Sequence, residues 1–322
     1  MSDNKPFREI INDFIAEKRA VGYKYEKTEK SLLRVALLYE SMGYNESILT
    51  KDLVLNWTEK TSYETEVNRL HRISVIRELA TYMQRMGFSA YLFPFRSTPY
   101  HEGTYVPHIY SNKELSDFFS EIDNCISPHT TPFRQIQFSL FFRLLYGTGM
   151  RISEACSLTK EDVDLKSGTV FIKQTKFGKE RILPLANSLI SKSKNYALQM
   201  QFYPLWDKSM YFFPNSIGKK YNEGSLYHHF RTYLWKAGIS HGGRGKGPRL
   251  HDFRHTFAVH CLRNWVREGK NLTTALPYLS AYMGHAGSKS TQYYLRLTAE
   301  LYPDIIMGLD AAYDWMIPEV GF

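Results

Sequence analysis

The chain has 322 residues, of which 43% are hydrophobic, and its formal net charge at pH 7 is +9. This length is sufficient for two domains with separate cores. The positive charge favours a polyanionic partner such as nucleic acid. The sequence contains no run of 18 apolar residues, which argues against a transmembrane helix. It also contains no Walker loop and no GxGxxG motif, which argues against a nucleotide-driven reaction.

The cysteines and the N-terminal segment both indicate the compartment. Cys125, Cys156 and Cys261 are widely spaced in apolar-patterned segments, so we expect reduced thiols rather than disulfides or metal ligands. The segment MSDNKPFREI has no cationic stretch followed by an apolar run. We therefore expect a cytoplasmic protein with no membrane partner.

The first 90 residues have apolar side chains at helical spacing. They predict helices from Pro6 to Ala20, from Thr28 to Met42, from Thr50 to Trp57 and from about Tyr63 to Met86. The polar faces are basic, and the residues that we predict to contact phosphate are Lys27, Lys30, Arg34, Arg69, Arg72 and Arg77. Solvated helix faces also have this composition, so the module as a whole carries more weight than any one residue.

Helical periodicity is lost between Leu92 and Tyr110, where FPFRSTPYHEGTYVPHIY contains three prolines and a glycine. This composition is typical of an interdomain linker. We place the boundary near Gly103, which gives a helical domain over residues 1–103 and a second domain over residues 104–322.

The second domain is predicted to begin with a helix that Ser111 and Glu114 cap as a capping box. A second helix is expected from Pro132 to Tyr146. The motif GTGMRISE then places Arg151 at a glycine-flanked helix start, where unpaired backbone N–H groups also favour an anion. The alternative is an ordinary surface ion pair between Arg151 and Glu154.

One strong strand signal follows. TVFIKQ, a turn at TKFGKE, and RILPL predict an antiparallel hairpin with Lys176 at its tip. There Lys176 could enter a minor groove, donate a proton or simply be solvated. A single hairpin among helices makes the expected fold class mainly α with a small antiparallel β-hairpin or sheet.

The residues from Leu250 to Tyr294 carry most of the chemistry. If the motif LHDFRHTFAVHCLRN is helical, His251 and Arg254 share one face. A guanidinium can hold two phosphate oxygens while an imidazole adds a hydrogen bond. After a loop-rich interval, MGHAGSKSTQYY supplies His285 and two tyrosines, and a tyrosine hydroxyl can be a nucleophile. The set suits attack on a phosphodiester without a metal.

These motifs together resemble the tyrosine recombinase, or phage integrase, family. Their order and type match in GTGMRISE (Arg151, Glu154), TKFGKERILPL (Lys176), LHDFRHTFA (His251, Arg254) and MGHAGSKSTQYY (His285 and a tyrosine). In that family the nucleophile lies nine positions after the second histidine, which selects Tyr294 over Tyr293. MGH replaces the commoner LGH and conserves volume.

The resemblance implies a mechanism. Tyr294 would attack the scissile phosphate, form a 3′-phosphotyrosyl link and release a 5′-hydroxyl, with no metal or other cofactor. Arg151 and Arg254 would stabilise the charged phosphorus centre. His251 and His285 would hydrogen-bond, and His251 is also a candidate acceptor of the tyrosine proton.

Two supporting roles also follow from the resemblance. Lys176 would protonate the leaving oxygen, and its place in TKxGK selects it from its neighbours Lys173 and Lys179. Glu154 would orient an arginine or a histidine rather than touch DNA.

The resemblance also implies an organisation. Residues 1–103 would be a core-binding domain, and residues 104–322 a catalytic domain whose C-terminal tail is exchanged between protomers or packs in cis. The expected partners are double-stranded DNA with inverted-repeat core sites and further copies of the chain: a monomer or dimer on one site and a homotetramer on two duplexes.

The absence of an arm-binding domain before Pro6 fits a minimal Xer-like or transposon-type integrase acting at the nucleoid. Its task would be integration and excision of a mobile element, or resolution of chromosome dimers. A relaxing enzyme similar to type IB topoisomerases and a catalytically silent DNA-binding regulator are the alternatives. The MGH motif and the hairpin favour recombinase over topoisomerase, and a silent regulator would have a broken motif.

Overall fold

A computed structural model describes residues 5–94, 106–173, 180–240, 242–243, 247–285, 291, 293–295 and 297–298. The chain divides into two compact units, Met1–Glu102 and Gly103–Phe322. The hairpin tip with Lys176, most of the expected linker and the C-terminal tail lie outside the described residues. Within the described part, no helix combines the length and apolarity needed to cross a bilayer.

The first unit is helical, as its apolar periodicity predicts. Its helices are α1 (Phe7–Ala20), α2 (Glu26–Ser41), α3 (Lys51–Thr58) and α4 (Glu66–Arg85). The Thr50 hydroxyl accepts a hydrogen bond from the Leu53 N–H at 3.2 Å, so Thr50 caps α3. The apolar faces form one core that includes Ile11, Leu32, Leu53, Ile76 and Met83.

The second unit is also mainly helical. Its helices are α5 (Asn112–Asp123), α6 (Arg134–Thr148), α7 (Ile152–Ser157), α8 (Asn187–Met200), α9 (Pro204–Lys208), α10 (Glu223–Lys236), α11 (Asp252–Arg267) and α12 (Leu272–Met283). The capping box of α5 is confirmed, because the Glu114 N–H donates to Ser111 Oγ at 3.2 Å and the Ser111 N–H donates to Glu114 Oε2 at 2.8 Å.

A three-stranded antiparallel sheet contains the predicted hairpin and one further strand. Its order is β1 (Val163–Asp164), β2 (Thr169–Ile172) and β3 (Arg181–Pro184). The register pairs Val170 with Leu183 and Ile172 with Arg181. The predicted hairpin is therefore confirmed, and β1 was missed because a strand of two residues has no readable alternation.

The expectation of a loop-rich interval between the two histidine motifs is wrong. Helix α12 occupies it and contains Pro277. Proline removes one backbone donor and normally breaks a helix interior. Here Leu272, Leu279 and Met283 are buried together with Ala258 and Leu262 of α11, and this packing holds the helix in spite of the proline.

The start of α11 is fixed by the core. Phe253 is fully buried, stacks on Tyr110 with ring centroids 5.0 Å apart, and contacts Phe118 and Phe142. The helix begins at Asp252 rather than Leu250, and His251 precedes it with φ −67° and ψ −19°. The residue after Phe253 is Arg254, so an aromatic anchor determines where that guanidinium lies.

Candidate active site

Arg254 is the innermost of the predicted residues, with 3% of its surface exposed. Its Nη1 donates to the Gly149 carbonyl and its Nη2 to the Met283 carbonyl, both at 2.7 Å. Burial lowers the pKa of Arg254 to about 10, which leaves it charged at neutral pH. Gly149 has φ +60°, and a Cβ there would lie 2.5 Å from the Phe257 ring, so glycine is required at this turn.

Arg151 is the N-cap residue of α7, as GTGMRISE predicts. Its backbone N–H donates to Glu154 Oε2 at 2.8 Å and its Nη1 donates to Oε1 at 2.8 Å. Its Nη2 reaches the Gly284 carbonyl at 3.0 Å. The Arg151–Glu154 pair exists, but Glu154 is buried, so the alternative of an ordinary surface ion pair is wrong.

Arg181, the first residue of β3, is a member of this network that the sequence interpretation missed. Its Nη2 and Nη1 donate to the two Glu154 oxygens at 2.8 and 3.1 Å, and its Nε donates to the Tyr282 carbonyl at 2.8 Å. Gly284 permits this approach, because a Cβ there would lie 2.9 Å from Arg181 Nη1. No local motif marks Arg181, since its partners are distant in sequence.

Glu154 therefore joins two arginines. Burial opposes its ionisation, but the hydrogen bonds from Arg181 and from the Arg151 backbone and side chain hold the pKa of its carboxyl below the ordinary 4.5. The carboxylate is ionised at neutral pH and fixes both guanidinium groups. The orienting role expected for Glu154 matches these contacts.

Tyr294 lies beside Arg254 and His285. It is 4% exposed, and its ring stacks on the His285 ring with centroids 5.7 Å apart and planes 20° apart. Burial raises the pKa of the Tyr294 phenol, and the positive charge of the nearby Arg254 guanidinium acts in the opposite direction. The neighbouring Tyr293 is 38% exposed.

The ring and the backbone of His285 each have a hydrogen-bonding contact. Its Nδ1 is 2.9 Å from Thr291 Oγ1, and its backbone N–H donates to the Ser280 carbonyl at 3.0 Å. Burial, followed by the charges of Arg254 and Arg151, lowers the pKa of His285 to about 4. The imidazole is therefore neutral at pH 7.

His251 and His255 form an imidazole pair with ring centroids 4.9 Å apart. Burial of part of its ring, then the charges of Arg254 and Arg151, lowers the pKa of His251, although the residue as a whole is exposed. His255 was not among the predicted residues, yet its ring lies 5.3 Å from that of Tyr294. Its position four residues after His251 on α11 is the signal that could have identified it.

The predicted lysine of the hairpin and the expected absence of a metal ligand set are considered next. Lys176 and Lys179 lie outside the described residues, whereas Lys173 forms an ion pair with Asp162 at 2.6 Å. Among the described residues, no group of three or more His, Cys, Asp or Glu side chains is arranged to hold a metal ion.

The predicted phosphate-binding residues of the first unit fall into two groups. Lys27, Lys30 and Arg34 are exposed on α2 and form no ion pair within the described part of the chain. The other three are used inside the unit: Arg69 donates to the Thr58 carbonyl and Glu66, Arg72 to Glu64 and the carbonyls of Trp57 and Glu59, and Arg77 to the Phe93 carbonyl.

The family model described as the phage integrase family matches residues 112–300, more than half of the chain. The chain belongs to the phage integrase family. The resemblance of its motifs is thereby confirmed, and the protein is a tyrosine recombinase, an enzyme of site-specific DNA recombination. The topoisomerase-like and silent-regulator alternatives are not favoured.

Relatives of this tyrosine recombinase include a Sinorhizobium fredii protein named as an integrase/recombinase, y4rB. It is 27% identical over 310 residues, covering 96% of this chain and 98% of the relative. Tyrosine recombinase XerA of Pyrococcus furiosus is 31% identical over 172 residues, covering 52% and 53%.

Solved structures show the same fold. A XerH site-specific recombinase bound to a palindromic difH substrate has a TM-score of 0.62 at 20% identity, covering 90% of this chain and 80% of that one. The Tn1549 transposon integrase in complex with transposon right end DNA has a TM-score of 0.59 at 17% identity, covering 88% and 94%. The expected fold class, mainly α with a small antiparallel sheet, is confirmed.

Proposed function

We propose that Tyr294 is the nucleophile that breaks a DNA strand and holds it as a 3′-phosphotyrosyl link. The observation that carries this proposal is the buried position of Tyr294, whose ring stacks on that of His285 and whose phenol is close enough to Arg254 for the guanidinium charge to oppose the rise that burial causes in its pKa. A phosphate placed against Arg254 would meet the phenolic oxygen and permanent positive charge together. Tyr293 is more exposed than Tyr294.

The arginines and histidines divide the remaining chemistry. Arg151 and Arg254 stabilise the charge that develops on phosphorus, and their contacts with backbone carbonyls preorganise them. The pKa values of His251 and His285 are lowered, which keeps both imidazoles neutral at pH 7. Since only a neutral imidazole accepts a proton, His251 remains the candidate acceptor of the tyrosine proton, and His285 holds the Tyr294 ring by stacking.

Lys176 would protonate the leaving 5′-oxygen. The two strands that flank its turn are β2 and β3, and Arg181 at the start of β3 belongs to the Glu154 network. Lys173 is already paired with Asp162, and the place of Lys176 in TKxGK selects it over Lys179.

The chain would act on DNA through both units. Residues 1–103 would form a core-binding domain, with Lys27, Lys30 and Arg34 of α2 as its phosphate contacts, and residues 104–322 the catalytic domain. Support comes from relatives whose structures contain DNA: XerH on a palindromic site and a lambda integrase dimer on a core site. By analogy we propose inverted-repeat core sites on DNA of the nucleoid, a monomer or dimer on one site, and a homotetramer on two duplexes with the C-terminal tail exchanged between protomers.

Covalent trapping tests the nucleophile. The full chain is incubated with nicked duplexes of randomised sequence, and covalent adducts are resolved on a denaturing gel. We expect Tyr294→Phe to reduce adduct by more than about 1,000-fold, because the nucleophilic oxygen is lost. Tyr293→Phe is the matched control and should retain adduct. An inactive Tyr293→Phe beside an active Tyr294→Phe would overturn the assignment.

A further inference from the structure

A polar cavity of about 190 Å³ lies in the catalytic unit between the start of α6, the start of α10 and the loop that precedes α10. Its lining includes Thr131, Arg134, Ser216, Asn222, Ser225 and His229. Arg134 begins α6 and the Gly149 turn follows its other end, so the cavity is about 20 Å from the active site at 1.5 Å per residue. It is a separate feature.

Two buried hydrogen-bond donors in this cavity have no partner among the described residues. Thr131 is 5% exposed, and its hydroxyl has no hydrogen-bond partner among the described residues. Arg134 Nε is shielded from solvent and, within the same residues, also has no partner. Buried polar groups are normally hydrogen-bonded, since an unpaired one loses its hydration without a replacement partner. Both groups therefore point to something that occupies the cavity.

The charge of the cavity selects an anion. No carboxylate lines it among the described residues, and Arg134 forms no ion pair there. By contrast, Arg143 on the same helix pairs with Asp123 at 2.6 Å. Burial and the charge of Arg134 lower the pKa of His229 to about 4, so His229 is neutral at pH 7 and Arg134 is the one formal charge in the lining. Water could satisfy Thr131, whereas an anion would also pair with the half-buried Arg134 guanidinium.

The rim of the cavity is polar and basic, and it reaches the protein surface. Ser216, Asn222 and Ser225 are exposed, so the cavity opens to solvent. The adjacent loop carries Lys219 and Lys220, both exposed and without an ion pair in the described part of the chain. Glu223, the first residue of α10, is the nearest acid on these elements, but it is exposed and does not line the cavity.

We propose that this cavity binds a phosphate group through Arg134 and Thr131. Phosphate oxygens accept from guanidinium and hydroxyl donors, and Arg is the preferred partner of phosphate. The volume exceeds the roughly 30 Å³ of a water molecule about sixfold, which leaves room for a tetrahedral oxyanion. The basic rim favours a backbone phosphate of duplex DNA, and inorganic phosphate is the other source. The DNA source rests on the proposed function, whereas the phosphate site itself does not.

A reporter inside the cavity tests the site without interference from the active site. Inorganic phosphate is titrated into the full chain with ¹³C-labelled histidine, and the His229 signal is assigned by its loss in His229→Gln. We expect a saturable His229 shift that sodium chloride at equal ionic strength does not give. Arg134→Gln should weaken it at least tenfold and Thr131→Val about three- to tenfold, as loss of a charged and a neutral hydrogen bond requires.

Lys236→Gln is the matched control, because it removes one exposed charge from the other end of α10. Its phosphate affinity should equal that of the unaltered chain. If Arg134→Gln lowers the melting temperature, the isosteric Thr131→Val decides the matter.

The DNA arm measures affinity for a duplex of about 30 base pairs at several salt concentrations. If DNA is the source, Arg134→Gln should reduce the slope of log K against log salt by about 0.9, and Lys236→Gln should not. A weakened His229 response with an unchanged slope would assign the site to free phosphate. A His229 signal that never saturates, together with an unchanged slope, would overturn the proposal. If the chain bound no DNA at all, the proposed function would be wrong. The phosphate titration would still test the cavity, because it does not depend on DNA binding.

Discussion

Arg72 in the first unit and Arg254 in the second both use their N–H groups on backbone carbonyls. Arg72 reaches the carbonyls of Trp57 and Glu59 and the carboxylate of Glu64. Arg254 reaches the carbonyls of Gly149 and Met283. Each ties separate segments together, yet of the two only Arg254 also acts through its charge on the pKa of a buried tyrosine, Tyr294. An arginine that is hydrogen-bonded to the backbone can therefore be purely structural. The tyrosine beside Arg254 is what distinguishes it as a functional residue.

Arg254→Lys should give the largest effect. An ammonium cannot bond the Gly149 and Met283 carbonyls in the same planar arrangement and also keep its charge beside Tyr294. We expect adduct formation to decrease about 100- to 1,000-fold, the usual cost of one charge-stabilising donor. Arg231→Lys, on the half-buried face of α10, is the control. The trapping gel gives the rate, and equal adduct from both variants would contradict a role for Arg254.

Neutralising α2 should weaken DNA binding without affecting folding. Lys27, Lys30 and Arg34 are exposed and form no ion pairs among the described residues, so their replacement by Gln leaves no buried group unsatisfied. If all three contact phosphate, the salt slope should decrease by nearly three, at about 0.9 per contact. The measurement is fluorescence anisotropy on a duplex at several salt concentrations. An unchanged slope would remove α2 from the interface.

Arg72→Gln should have the opposite result. It breaks the bonds to Glu64 and to two carbonyls, so we expect a loss of about 1–3 kcal/mol in the free energy of unfolding. The salt slope of DNA binding should not change. Urea unfolding of the full chain reports the first quantity and anisotropy the second. A lower slope with normal stability would return Arg72 to the phosphate contacts.

Acid should destabilise the fold before the carboxylates titrate. The folded pKa of His285 is about 4, below the ordinary 6.5, so the unfolded chain binds more protons between these values. Stability contributed by the neutral imidazole is present above pH 6.5 and is lost as pH falls toward 4. The lowered pKa of Glu154 acts only below about 4.5. Urea midpoints from pH 7 to 5 should fall less for His285→Gln than for the unaltered chain.

Local sequence was sufficient where the partners are close in the chain. Ser111 and Glu114 are three residues apart, and their capping box follows from that spacing. It was insufficient for Arg181, whose contacts with Glu154 and Tyr282 span 27 and 101 positions. Nothing in one sequence pairs such residues.

The prediction of a loop-rich interval failed for a different reason. The effect of Pro277 on a helix is local, but the burial of Leu279 and Met283 against α11 is tertiary and opposes it. Arg72 and Lys27 show the same limit on the polar side. Both read as basic residues on helical faces, and only the fold reveals that one is bonded and the other is exposed.

Identification of the residue that carries the DNA tests the central claim most directly. Trapped adduct is digested with nuclease and trypsin, and the peptide STQYYLR, residues 290–296, is fragmented by mass spectrometry. We predict that the phosphate and the remaining nucleotide are on Tyr294. Modification of Tyr293, or of a residue outside this peptide, would contradict the account.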